Sequence, residues 1–128
     1  MVQKVGDEFL VNTTAFDDQE EPSVTGLADG GFVVTWQTQD SATFTAGIDS
    51  EVQAQIYNAD GTQRGDEFRV NTTTVRDQTV PNVTDLADGG FIVVWQDNSL
   101  TNPDTSLDSV RAQMYDADGS PWGDEFLV

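Results

Sequence analysis

The side chains equipped for chemistry in this sequence are carboxylates: 23 Asp and Glu stand against five Lys and Arg, with no His and no Cys. Lacking imidazole and thiol, the chain has no Ser-His-Asp or Cys-His nucleophile, no thiol redox couple and no Cys/His zinc site. Carboxylate-only chemistry survives. A hard cation such as Ca²⁺ takes about six to eight oxygens from carboxylates, carbonyls and water. Asp18 with Asp77, and Asp49 with Asp108, are the candidate metal ligands. Gln19 and Gln78 accompany the first pair, and Asp40 and Asp97 fall in the same long connections as further ligand-binding candidates. The competing reading is an Asp that caps a turn by bonding its own backbone. Asp116-x-Asp118-Gly119 has the opening of an EF-hand loop without its third Asp or its distant Glu, and reads as a hairpin turn. Glycoside hydrolysis needs a carboxylic acid in an apolar pocket and a second at a set separation. No carboxylate here has apolar flanks, so the chain reads as a non-enzyme.

The elements that would position these residues are repeated. Gly6-Asp7-Glu8-Phe9-Leu10-Val11-Asn12-Thr13-Thr14 returns 59 residues later as Gly65-Asp66-Glu67-Phe68-Arg69-Val70-Asn71-Thr72-Thr73, and its first six residues return after another 58 as Gly123 to Val128. Leu27-Ala28-Asp29-Gly30-Gly31-Phe32-Val33-Val34-Thr35-Trp36-Gln37 likewise matches Leu86 to Gln96, and Ala54 to Gly61 matches Ala112 to Gly119. A fixed period decides architecture before any local reading does. Residues 1–64 form one repeat, 65–122 a second, and 123–128 the start of a third.

Each repeat reads as four strands. Glu8 to Thr13 alternates, and its copy carries Arg69 in place of Leu10, which puts one face in water. Pro22 to Leu27 is short and rich in small residues, with the proline at the first strand position. Phe32 to Gln37 is mostly apolar on both faces, as in a strand covered twice. Val52 to Tyr57 has a period of two. Asp29-Gly30-Gly31 and Asn58-Ala59-Asp60-Gly61, with their copies, are tight turns at one edge. The long connections, Thr14 to Glu21, Thr38 to Glu51, Thr73 to Val80 and Asp97 to Ser109, share the other edge, where binding loops belong. Trp36 and Trp95 have faces suited to stacking a sugar, but their twice-covered strand makes them core. Trp122 replaces Arg64 in a turn and marks an exposed site or a junction between subunits.

A four-stranded unit with a twice-covered middle strand needs neighbours on both sides, which radial stacking around an axis provides. The expected fold is all-β: two four-stranded antiparallel propeller-type blades plus an extra terminal rim strand, with a β-sandwich or solenoid as the alternative. Two blades cannot close a ring of about four to eight. Copies of the chain are therefore the expected partners, as a trimer or tetramer, and one of the two terminal rim strands is surplus. A formal charge of -18 disfavours nucleic acid and anionic membrane surfaces. There is no apolar stretch long enough for membrane insertion and no leader segment at the N-terminus.

The motifs Gly-Asp-Glu-Phe-Leu-Val-Asn-Thr, Asp18-Gln19 before Pro22-Ser23-Val24, Leu27 to Gln37 and Gln55 to Gly61 together resemble tandem repeats of very large secreted bacterial proteins, similar to hemolysin-type calcium-binding and adhesin-like chains. That resemblance implies an extracellular or cell-surface, non-enzymatic module in a multi-repeat array; the acidic loops make Ca²⁺ the expected cofactor. A lectin, binding carbohydrate through the long loops, is the alternative. The glycine-rich nonapeptide calcium repeats of such proteins are absent from this sequence.

Overall fold

The computed structural model describes residues 6–13, 18–40, 49–72, 76–99 and 108–128, with the side chains of Asp40 and Asp49 outside the description. Parts of all four long connections lie outside the described residues. Eight strands form two sheets. β1 (Gln19–Gly26), β2 (Phe32–Asp40), β3 (Asp49–Tyr57) and β4 (Gln63–Arg69) make the first. β5 (Gln78–Asp85), β6 (Phe91–Asp97), β7 (Ser109–Tyr115) and β8 (Pro121–Leu127) make the second. Each sheet is an antiparallel meander in chain order, the topology of a propeller blade. Sheets and sequence repeats are out of phase: the Gly65-to-Arg69 motif supplies the outer strand of the first sheet, and Gly123 to Leu127 that of the second. No described helix is long and apolar enough to cross a membrane.

Three expectations require correction. Glu8 to Thr13 is not a paired strand, because β4 and β8 already occupy the places beside β3 and β7. It is held by side chains instead. The inner strand begins at Gln19, so Pro22 lies within it, at a register shift between Glu20 and Ser23. The same shift recurs around Pro81, between Thr79 and Asn82. At both bulges the residue before proline has positive φ, 52° at Glu21 and 50° at Val80. The bulge takes up the residue that cannot donate to the ladder. Finally, Trp122 belongs to β8 rather than a turn.

The tight turns close as the Gly and Asp spacing dictates. The Leu27 amide donates to the Gly31 carbonyl (2.8 Å) and the Gly30 amide to the Leu27 carbonyl (3.0 Å). The Asp29 carboxylate accepts from the Gly31 amide at 2.9 Å and meets Arg64 at 2.8 Å. Those partners hold its carboxyl below the usual range. Asp118 likewise accepts from the Ser120 amide at 2.9 Å, so the EF-hand-like segment is a turn that caps itself. Gly90 is required for space: a Cβ there would run into the Tyr115 carbonyl oxygen. Gly90→Ala is expected to lower unfolding free energy by about 2 kcal/mol in urea titrations.

The core lies between the sheets. Val33, Val52, Ala54 and Ile56 on one face of the first sheet, with Leu27 and Val70, pack against Val83, Phe91, Val93, Trp95 and Tyr115 of the second. Polar bonds cross the joint as well. The Val80 amide at the bulge donates to Gln37 Oε1 (3.0 Å), the Ser50 amide to Asp77 Oδ1 (3.1 Å), and the Val83 amide to Ser23 Oγ (3.3 Å). Thr35 is fully buried in this joint, and its Oγ1 has no hydrogen-bond partner among the described residues. Its counterpart in the second repeat is Val94. Thr35→Val is expected to stabilise the chain by about 1 kcal/mol, read as a raised urea midpoint at constant slope.

Candidate functional site

The internal repeat turns burial into a map of missing contacts. Val33, Thr35, Val52, Ala54, Ile56, Arg64 and Phe68 lie on the face of the first sheet that meets the second. Their counterparts on the second sheet are Ile92, Val94, Val110, Ala112, Met114, Trp122 and Phe126. Apart from the buried Ala112, that second face is partly open. Val52 is 0% exposed and Val110 48%, while Trp122 is 54% and Phe126 40% exposed. The opposite face of the first sheet shows the complementary difference, Val24 at 63% against its counterpart Val83 at 7%. Equivalent positions of the two repeats are thus covered unequally on these faces.

Gly6–Thr13 partly covers the first sheet's outward face. Val11 packs with Phe32, Val34, Trp36 and Tyr57, and the Tyr57 hydroxyl donates to the Val11 carbonyl at 2.9 Å. The Phe9 and Tyr57 rings lie 5.4 Å apart at 53°. Phe68 and Tyr115 repeat this at 5.5 Å and 53°, with the Tyr115 hydroxyl donating to the Val70 carbonyl at 3.3 Å. The Thr13 amide donates to Glu67 Oε2 at 2.8 Å, as the Thr72 amide does to Glu125 Oε2 at 2.8 Å. Burial pushes the Tyr115 hydroxyl well above its ordinary pKa, aided by nearby Glu125.

Gln19 and Gln78 brace the tryptophans. Trp36 Nε1 donates to Gln19 Oε1 (2.8 Å), whose Nε2 donates to Thr38 Oγ1 (2.8 Å). Trp95 Nε1 donates to Gln78 Oε1 (2.9 Å), whose Nε2 donates to Asp97 Oδ1 (2.7 Å). Asp97 is buried and also accepts from the Ser99 amide (2.9 Å), the Ser99 hydroxyl (2.7 Å) and Arg111 Nε. Arg111 Nη1 continues to Glu125 Oε1 at 3.2 Å. Burial alone would raise the Asp97 pKa, but the bonds from Ser99, Arg111 and Gln78 outweigh it and hold the carboxyl below its ordinary value.

Asp18 and Asp77 are placed alike at the strand starts, each carbonyl accepting from an opposing amide, Gln39 at 3.1 Å and Asn98 at 3.0 Å. Asp49 stands opposite Asp40 in the ladder. Ser109 opposes Asp97 where Glu51 opposes Thr38, so Asp108 corresponds to Ser50 and not to Asp49. The one-residue difference between the repeats lies in this connection and shifts the pairing expected from sequence. Among the described residues, no group of three or more carboxylates is arranged to hold a metal. A cleft of about 740 Å³ separates the β4 end from the second sheet, lined in part by Arg69, Thr72, Arg111, Gln113, Tyr115 and Glu125. Arg111 and Glu125 were not legible as site residues. The signal available was the coupled difference between repeats, Thr38 and Gln53 becoming Asp97 and Arg111.

Comparison with known protein families, with characterised proteins and with solved structures found no match.

Proposed function

We propose that this chain is a non-enzymatic structural repeat module whose copies join head to tail into a closed β-propeller, three copies giving six blades or four giving eight. The observation that carries this reading is the open face of Ile92, Val94, Val110, Met114, Trp122 and Phe126, whose counterparts are covered within the same chain. The complementary face is that around Val24, 63% exposed. Polar partners are duplicated too: Gln96 is exposed where Gln37 receives the bulge amide of Val80, and the next copy would offer Glu21. The setting implied by the resemblance, an adhesive array outside a bacterial cell, belongs to this reading. Native mass measurement tests it, and a monomer at every concentration would end it.

Each copy carries a formal charge of -18, so association works against mutual repulsion. Raising NaCl from low ionic strength is expected to shift the equilibrium toward the assembly, measured by sedimentation. Calcium at matched ionic strength separates screening from a specific site. An equal shift is screening alone, and a larger one supports Ca²⁺ binding through the acidic loops. The cleft beside the end of β4, with Arg69 and Thr72 at its wall, favours carbohydrate as the second reading, for which glycan-array binding lost in Arg69→Ala is the test.

A further inference from the structure

Gly6–Thr13 carries the sequence of an outer strand but pairs in neither sheet of this chain. It sits on the first sheet as the end of β4 sits on the second, through the same aromatic pair, the same Tyr hydroxyl bond and the same Thr amide to Glu bond. Phe9, Phe68 and Phe126 are successive counterparts in the repeat. When the second sheet of one copy meets the first sheet of the next, Phe126 of the rear copy and Phe9 of the front copy claim one position. Two strands compete for one place beside β7.

We infer that the joint is made by strand exchange: Gly6–Thr13 of the front copy pairs with β7 of the rear copy and displaces its β8. This rests on the head-to-tail reading. Residues 6–11 and 123–128 are identical in sequence, so β7 receives the same six side chains from either strand. Glu8 takes the place of Glu125 beside Arg111 and the Thr72 amide, and Phe9 that of Phe126 beside Ala112. The incoming strand keeps its anchors on its own first sheet, including the Thr13 bonds to Glu67 at 2.8 and 2.9 Å. It also brings Asn12, the counterpart of Asn71, whose Oδ1 accepts the Val52 amide at 2.8 Å; the matching donor on the rear copy is the Val110 amide. Exchange keeps the contacts made by Gly123 to Val128 and gives up the Met114–Trp122 and Tyr115–Pro121 pairs, in return for a strand whose Asn12 and Thr13 are already anchored beside the joint. It also ties each joint through one continuous backbone.

The chain has no native cysteine, so a disulfide reports directly on which strand is beside β7. Within the first sheet the Val70 amide donates to the Val52 carbonyl at 2.8 Å, and the Val128 amide to that of Val110 at 2.8 Å. Facing positions of this kind lie within disulfide reach. The full chain is prepared as V11C/V110C and as V110C/V128C, and the fraction with the parent assembly's mass is oxidised. Exchange predicts covalent dimers and higher ladders for V11C/V110C on a non-reducing gel, and free thiols for V110C/V128C. An intrachain bond in V110C/V128C with free thiols in V11C/V110C overturns the exchange while leaving self-association standing. Absence of any assembled fraction of the unmodified chain overturns the head-to-tail reading and the exchange with it. Hydrogen exchange on the unmodified chain gives an independent check. On assembly the Val11 amide should gain protection and the Val128 amide lose it, and the reverse pattern counts against exchange.

Discussion

V110K is expected to fold normally and to remain monomeric at concentrations where the parent chain is assembled. Val110 is half exposed in the single chain, so a lysine there costs the isolated fold little. In the proposed assembly the same position would take the environment of Val52, which is fully buried between the sheets. An ammonium group buried there without a partner costs several kcal/mol. A penalty of about 3 kcal/mol weakens each joint about a hundredfold. V24K should do the same from the other side, because Val24 corresponds to buried Val83. The two variants are damaged on different faces, and mixing them is the decisive measurement. One intact joint remains available, between the second sheet of V24K and the first sheet of V110K, so the mixture should give one-to-one dimers and nothing larger. A symmetric contact, with the same patch on both partners, would leave the mixture monomeric.

The second large effect is expected at Asp97 and Arg111. R111M should lose about 3 to 5 kcal/mol of unfolding free energy, because it leaves the Asp97 carboxylate, 1% exposed, without its cation. The first repeat supplies a neutral solution to the same packing problem: Thr38 accepts from Gln19 and Gln53 stands where Arg111 does. D97T/R111Q should therefore recover most of the loss in a double-mutant cycle by urea denaturation. The pH dependence follows from the depressed pKa of Asp97. The folded state binds its proton less readily than the unfolded state, so the contribution is fully present above the unfolded carboxylate range. It disappears as the pH falls through the lower, folded value. The parent chain should lose stability on acidification in that window, and D97T/R111Q should show a shallower decline there.

The repeat, the strand order and the tight turns were legible because each follows from local spacing: two glycines after Asp29, alternation in Val52 to Tyr57, and two faces of apolar residues around Trp36. What escaped depends on neighbours distant in sequence. Whether Gly6–Thr13 pairs is decided by β4 and β8 already filling the outer places. Gln19 and Gln78 have the donors and acceptors of a ligand-binding residue, and only strand pairing reveals that each is turned to a tryptophan 17 residues on. Asp97 looked like a loop carboxylate. It becomes a buried acceptor because β6 extends through it and β7 brings Arg111 alongside. The equivalence of Asp49 and Asp108 failed for a simpler reason, since the one-residue difference between repeats falls in that connection and shifts the register.

The paired bulges before Pro22 and Pro81 have a consequence for how such a chain avoids harm. β1 and β5 each have a ladder partner on one side only, and a free strand edge invites cross-β growth between molecules. A proline removes a donor from that edge, and the positive φ of Glu21 and Val80 twists the backbone out of register with any incoming strand. At these two edges the route to edge-on, amyloid-like growth is thereby blocked by the backbone itself.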